Sequence, residues 1–261
     1  MALTLVIGIS TIWLAATGQL VLYIHPRYVV FTVIMVGAGM LLSLLALATG
    51  TEAEVSVSAP QEAEAGPPDR RGAGVARAAR AARAARAAGV VVTVAVGAAL
   101  LLLPPTTLSS ATASTRGLGQ GAGVVALPGG AANGPTGASA SDSATATYSV
   151  LQWANVLRQT SDLSFYENKQ VDVTGFISPS PSDPANTFIV TRFVITCCAV
   201  DAQPVGVTVY RSNWESSFKK DEWIRITGAF TANPSRSATA SIALIPRSIA
   251  ATPRPSDPYL T

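Results

Sequence analysis

The chain is short of charge, of histidine and of cysteine, and each shortage excludes something. Charged residues are 13% of its 261 positions, against roughly 25% in an ordinary soluble domain, so the full length does not read as one water-facing globule. There is one histidine, His25, far in sequence from the cysteines; a Cys-His nucleophile pair would have to form across everything between them. No glycine loop ending in Lys-Ser/Thr is present to cradle a phosphate, and the glycines at 117–134 lie in low-complexity sequence. The paired acids Asp221 and Glu222 sit where a solvated strand start would put them. No catalytic constellation is legible, and the expectation is a non-enzymatic protein. The two cysteines are adjacent, in Phe193-Val-Ile-Thr-Cys-Cys-Ala-Val-Asp-Ala-Gln-Pro-Val-Gly206.

The charge shortage is concentrated in apolar runs. Leu3–Ile24 is about 22 residues without a charge, enough to cross a hydrocarbon layer of roughly 30 Å. Val29–Ala48 is a second run, separated from the first by the turn His25-Pro26-Arg27-Tyr28. Residues 1–48 therefore read as a transmembrane hairpin. A cleaved signal fits the first run less well, since it lacks a basic start and exceeds the usual 7–15 apolar residues. A third span is expected over residues 87–104, closed by Pro104 and Pro105. The segment 49–88 between them is acidic, then basic, with Arg77, Arg80, Arg83 and Arg86 in an Arg-Ala-Ala repeat. Short arginine-rich loops stay cytoplasmic, which places everything after Leu103 outside. The same arginines suit a bilayer surface; nucleic acid is not an expected partner, because Glu52, Glu54, Glu62, Glu64 and Asp69 offset much of the charge. The tyrosines flanking His25 make it an interfacial anchor.

Residues 105–147 are Ala, Gly, Ser, Thr and Pro with few aromatic or charged groups and read as a disordered extracytoplasmic linker. Order is expected over 148–250, with 251–261 as a tail. One helix, Tyr148–Gln159, precedes five strands at Lys169–Ile177, Thr187–Thr196, Val205–Tyr210, Glu222–Phe230 and Thr239–Ile245. The first and fourth repeat one pattern, Val-Asp-Val-Thr-Gly-Phe and Ile-Arg-Ile-Thr-Gly-Ala-Phe. Glycine inside a strand marks a bulge or a sharp bend. The expected class is a membrane α-helical region plus an all-β domain, a five-stranded OB-like barrel, with an open sheet or SH3-like barrel as the competing topology. Trp153, Trp214 and Trp223 read as core or rim aromatics.

Adjacent residues of a flat strand face opposite ways, so Cys197 and Cys198 converge only if the strand ends there. Three readings stay open. Both thiolates with the carboxylate of Asp201 can hold a metal, zinc best among the candidates, with a fourth ligand missing locally. The pair can act in redox chemistry as a strained disulfide between neighbours. Or the two are small apolar residues of a core.

Three stretches carry a family resemblance: Tyr23-Ile-His-Pro-Arg27, the Lys-x-Val-x-Val-x-Gly-Phe strand, and Arg192 through Gly206. In these the chain resembles the YcgQ-like subunits of two-component permeases, uncharacterised bacterial membrane proteins. The resemblance implies an accessory subunit in the cytoplasmic membrane beside a polytopic permease subunit. The sequence reading is then of an outer domain that binds substrate or metal through the Cys-Cys-x-x-Asp turn. The alternative is a stand-alone extracytoplasmic thiol-redox or metal-delivery protein.

Overall fold

The computed structural model describes residues 2–48, 88–93, 95–97, 99, 108–118 and 145–260. They divide into two compact units, Met1–Leu20 with Arg27–Pro105, and Val21–Pro26 with Thr106–Thr261. The acidic-then-basic loop at 49–87 and residues 119–144 of the expected linker lie outside the described residues.

The described residues of the first unit are helical. Helix α1 (Ala2–Ala16) is 15 residues long, shorter than the expected run to Ile24. Its end has a local cause: Gly18 takes a left-handed φ of +70°, its N–H donates to Ala15 O (3.1 Å), and that of Gln19 donates to Leu14 O (2.8 Å). This pair of bonds closes the last turn around a residue without Cβ and stops the helix there. Helix α2 (Pro26–Ala48) starts on a proline, whose missing N–H costs nothing in a first turn. Among the described residues, Pro26–Ala46 is the one helix long and apolar enough to cross a membrane. Its outward face carries Val30, Phe31, Ile34, Met35, Leu41 and Leu42. A Cβ on Gly8 would lie 2.5 Å from the Met40 sulfur, so α1 and α2 pack closely as a hairpin. The hydroxyls of Ser10 and Ser43 bond back to Val6 O and Gly39 O, which satisfies them inside apolar helices. Of the expected third span, the described part is a shorter apolar helix, Ala88–Gly97.

The second unit is a β domain. Strand β1 (Val171–Pro179) pairs with β4 (Trp223–Ala232) along its first half and with β2 (Thr187–Val194) along its second. Strand β3 (Gln203–Tyr210) pairs with β2 over its whole length, and β5 (Ile242–Ala251) pairs with β4, all antiparallel. Strands β3 and β5 meet in parallel at Val209 and Leu244 alone. Strand β6 (Tyr259–Leu260) lies parallel to β2 beside Phe193 and Val194. The result is a six-stranded sheet, β1-β4-β5-β3-β2-β6, with β1 also returning onto β2. The repeated pattern pairs with itself, since Val173 faces Ile226, Val171 faces Gly228 and Gly175 faces Ile224. A Cβ on Gly175 would sit 2.6 Å from Thr191 O, so β1 crosses β2 where only glycine fits. At Gly228 the β4–β5 register shifts, and Pro246 is tolerated because it falls at that bulge.

The main core lies under helix α4 (Val150–Gln159), whose start is fixed by a reciprocal Ser149–Gln152 capping box. Trp153, fully buried, packs edge-on to Tyr148 and Phe230, and Tyr166 of the short helix α5 (Leu163–Tyr166) packs on Phe230. Burial pushes the Tyr166 hydroxyl up to about 12. A second cluster covers the other face of β1 and β2 with Ala113, Leu118, Phe176, Ile189, Phe193, Ile195, Ala202 and Tyr259. Strand β2 is thus buried on both faces, which its unbroken apolar run requires.

Three expectations need correction. The sheet has six strands, not five, because the expected tail 251–261 supplies β6 and the last residue of β5. The fifth strand starts three residues later than expected and runs to Ala251. Part of the expected linker is folded: α3 (Ser110–Thr115) is docked by Asp221, whose carboxylate accepts the Ser110 N–H at 2.6 Å, and by the Tyr259 hydroxyl, which accepts from Leu108 N–H. Side-chain partners from elsewhere hold a segment whose own composition would not.

Candidate functional site

Strand β2 ends at Val194, and the Ile195 N–H turns to Leu260 O at 3.0 Å, so β6 fixes the point where the chain leaves the sheet. The chain then folds around the carboxylate of Asp201. One oxygen, Oδ2, accepts the Cys197 N–H at 2.7 Å, and Oδ1 accepts those of Thr196 and Cys198 at 3.3 Å each. The Asp201 N–H donates to Cys198 O at 3.0 Å. A carboxylate taking three backbone donors acts as the internal cap of a turn, as in an anion-binding nest.

Two further groups hold the same turn. The Arg116 guanidinium, just after α3, donates to Ala199 O (3.2 Å) and Ala202 O (2.5 Å). From the other end of the chain, residues 23–25 lie antiparallel to it. Ile24 bridges Cys198, the His25 N–H donates to Cys197 O at 2.9 Å, and the Ala199 N–H donates to Tyr23 O at 2.8 Å. The sequence separates His25 from the cysteines by most of its length, and the fold joins their backbones.

The thiols themselves are free. Cys197 is exposed and Cys198 half-buried, so the core reading of the pair fails. Because the strand has ended, the two side chains are close enough to interact: with the Cys198 sulfur as acceptor and the negative charges of Cys198 and Asp201 nearby, the Cys197 thiol is raised above its ordinary range. Near the turn, Val200 is the most exposed large apolar side chain among the described residues.

The expected metal set of Cys197, Cys198 and Asp201 is not assembled. The Asp201 oxygens are occupied by Thr196, Cys197 and Cys198 N–H groups, and among the described residues no group of three or more His, Cys, Asp or Glu is placed to hold an ion. What remains is a dithiol on a rigid backbone, able to exchange with disulfides or to bind soft electrophiles through sulfur.

Sequence reasoning missed Arg116, whose neighbours read as linker, and it missed a cleft of about 320 Å³ between α4, β3 and the β4–β5 loop, lined by Leu157, Arg158, Val205, Thr208 and Thr239 among others. The loop walls are tied by Ser235 Oγ donating to Asp183 Oδ2 (2.6 Å) and the Thr239 N–H donating to Ser182 Oγ (3.2 Å). No alternating pattern marks such serine-rich loops.

No curated protein and no solved structure matches the chain. Residues 145–260, which hold α4, α5, all six strands and the dithiol turn, match the family model of the DUF1980 C-terminal domain, a family of uncharacterised proteins.

Proposed function

We propose that the chain is a non-enzymatic accessory subunit of a two-component permease, anchored in the bacterial cytoplasmic membrane with its β domain outside. The domain is an OB-like barrel, and it engages a polytopic permease subunit through the Cys197–Cys198 turn. One observation carries this reading. Asp201, Arg116 and the Tyr23–His25 segment fix the backbone of residues 196–202, which carries two free thiols, Cys197 exposed and Cys198 half-buried. A backbone so heavily determined around reactive groups is the pattern of a prepared contact site. The barrel reading is supported by the return of β1 onto β2 and by the parallel β3–β5 link. Pro26–Ala46 supports the anchor, and the YcgQ-like stretches described above support the permease partner.

The test is isolation of the tagged full chain in mild detergent from its own host. A polytopic membrane protein is expected to accompany it, and the Cys197→Ser/Cys198→Ser variant, equally folded, is expected to retain at least tenfold less of that partner. A chain that stays alone under these conditions sinks the subunit reading and leaves a stand-alone thiol protein in its place.

A further inference from the structure

We propose that Cys197 and Cys198 close reversibly into a disulfide, and that this closure and the pairing of residues 23–25 on the turn exclude one another. The inference rests on the reading of the turn as a working dithiol, and it adds how that dithiol is controlled.

The geometric argument concerns one peptide unit. Disulfide-linked residues keep their Cα atoms roughly 4.4–6.8 Å apart, whereas neighbours across a trans peptide sit at about 3.8 Å. A disulfide between them therefore closes a strained eight-membered ring, and the sulfurs meet only if the dihedrals on either side of the Cys197–Cys198 peptide turn and reorient its carbonyl and N–H. Both of its polar groups are engaged: its carbonyl accepts the His25 N–H at 2.9 Å, and its N–H donates to Asp201 Oδ1 at 3.3 Å. The next N–H, that of Ala199, reaches Tyr23 O at 2.8 Å. Two of these three bonds run to the connection between α1 and α2. Reorienting the peptide swings the Cys197 carbonyl away from His25 and drags the Ala199 N–H with it.

The chemistry needs a disulfide co-reactant, of which oxidised glutathione is the simplest. The exposed Cys197, as thiolate, displaces one thiol from it and forms a mixed disulfide. The Cys198 sulfur then displaces the second thiol. Two S–H bonds and the co-reactant's S–S bond break, one S–S bond forms in the turn, and two electrons and two protons leave as two molecules of thiol. By linkage, docking of 23–25 opposes oxidation by the same factor that oxidation opposes docking.

The experiment is hydrogen–deuterium exchange on the full chain in detergent, reduced and after equilibration with oxidised glutathione. The intact mass should fall by two hydrogens, and the exchange of the His25 and Ala199 amides should quicken at least tenfold. Both changes should reverse on reduction. In Cys198→Ser, which cannot close the ring, the oxidant should leave both amides as they were. In His25→Pro, which lacks the donor to Cys197, ring closure should need several-fold less oxidant. A ring that forms without change at His25 and Ala199 overturns the proposal, as does a chain that gives only mixed disulfides. No partner is needed, so a failed co-isolation and a failed exchange experiment remain separate results.

Discussion

Asp201 and Cys197 show how much one side chain can decide. Replacing the Asp201 carboxylate removes acceptors from three backbone N–H groups, and unmade bonds to a charged acceptor cost about 1.5–3 kcal/mol. Asp201→Ala should lower the stability of the reduced protein by about 2 kcal/mol in urea unfolding. Asp201→Asn, which keeps one acceptor oxygen, should lie between. The titration of Cys197 follows from its neighbours, the Cys198 thiol first and the Asp201 charge last. Its alkylation by iodoacetamide should therefore reach half its limiting rate at a pH above about 8.5, the ordinary thiol value. Cys198→Ala should bring that midpoint down. A midpoint below that of free cysteine would contradict this upward shift. The sequence made Asp201 visible as a candidate, three residues from Cys198, but its role as a cap depends on backbone angles that residue types do not encode.

Among the elements, β1 and β4 were legible because their alternation and matched glycines survive any registry of the rest. Strand β6 was not: two residues after Pro258 have no period, and they pair because Arg192 holds them. The Arg192 guanidinium donates to Asp257 O, Pro258 O and Tyr259 O and lies over the Trp223 ring. Arg192→Ala should detach β6, and exchange of the Ile195 amide should rise at least tenfold. Lysine should restore little, since it lacks the planar fork. Helix α3 escaped for a similar reason, because Ala, Ser and Thr carry no apolar stripe and its partners Asp221 and Tyr259 come from far downstream. Across β1 and β4, the Asp172–Arg225 pair holds the Asp172 carboxyl below the usual carboxylate range. A depressed carboxylate stabilises above its unfolded value, about 3.9, and the contribution fades as pH falls below that through the folded value. The pair is solvent-exposed, so a few tenths of a kcal/mol is the expected size. Arg225→Ala should narrow the gap between stability at pH 6 and at pH 2.5 by that amount.

For the whole molecule, the placement of the β domain can be read from its own thiol. An impermeant maleimide added to intact cells should label Cys197 without lysis if the domain is outside, and label it only after lysis if it is not. The pairing of Ile24 with Cys198 spans 198 − 24 = 174 positions of one chain, and that distance has a meaning in time. A ribosome adding about 5–20 residues per second delivers the second partner roughly 10–35 s after the first. Over that interval, the link between α1 and α2 leaves the ribosome and waits without its partner. The last third of the chain thus completes a joint in the first tenth. Mutations that slow folding of the β domain should therefore leave the His25 amide open to exchange for longer, although they lie far from it in sequence.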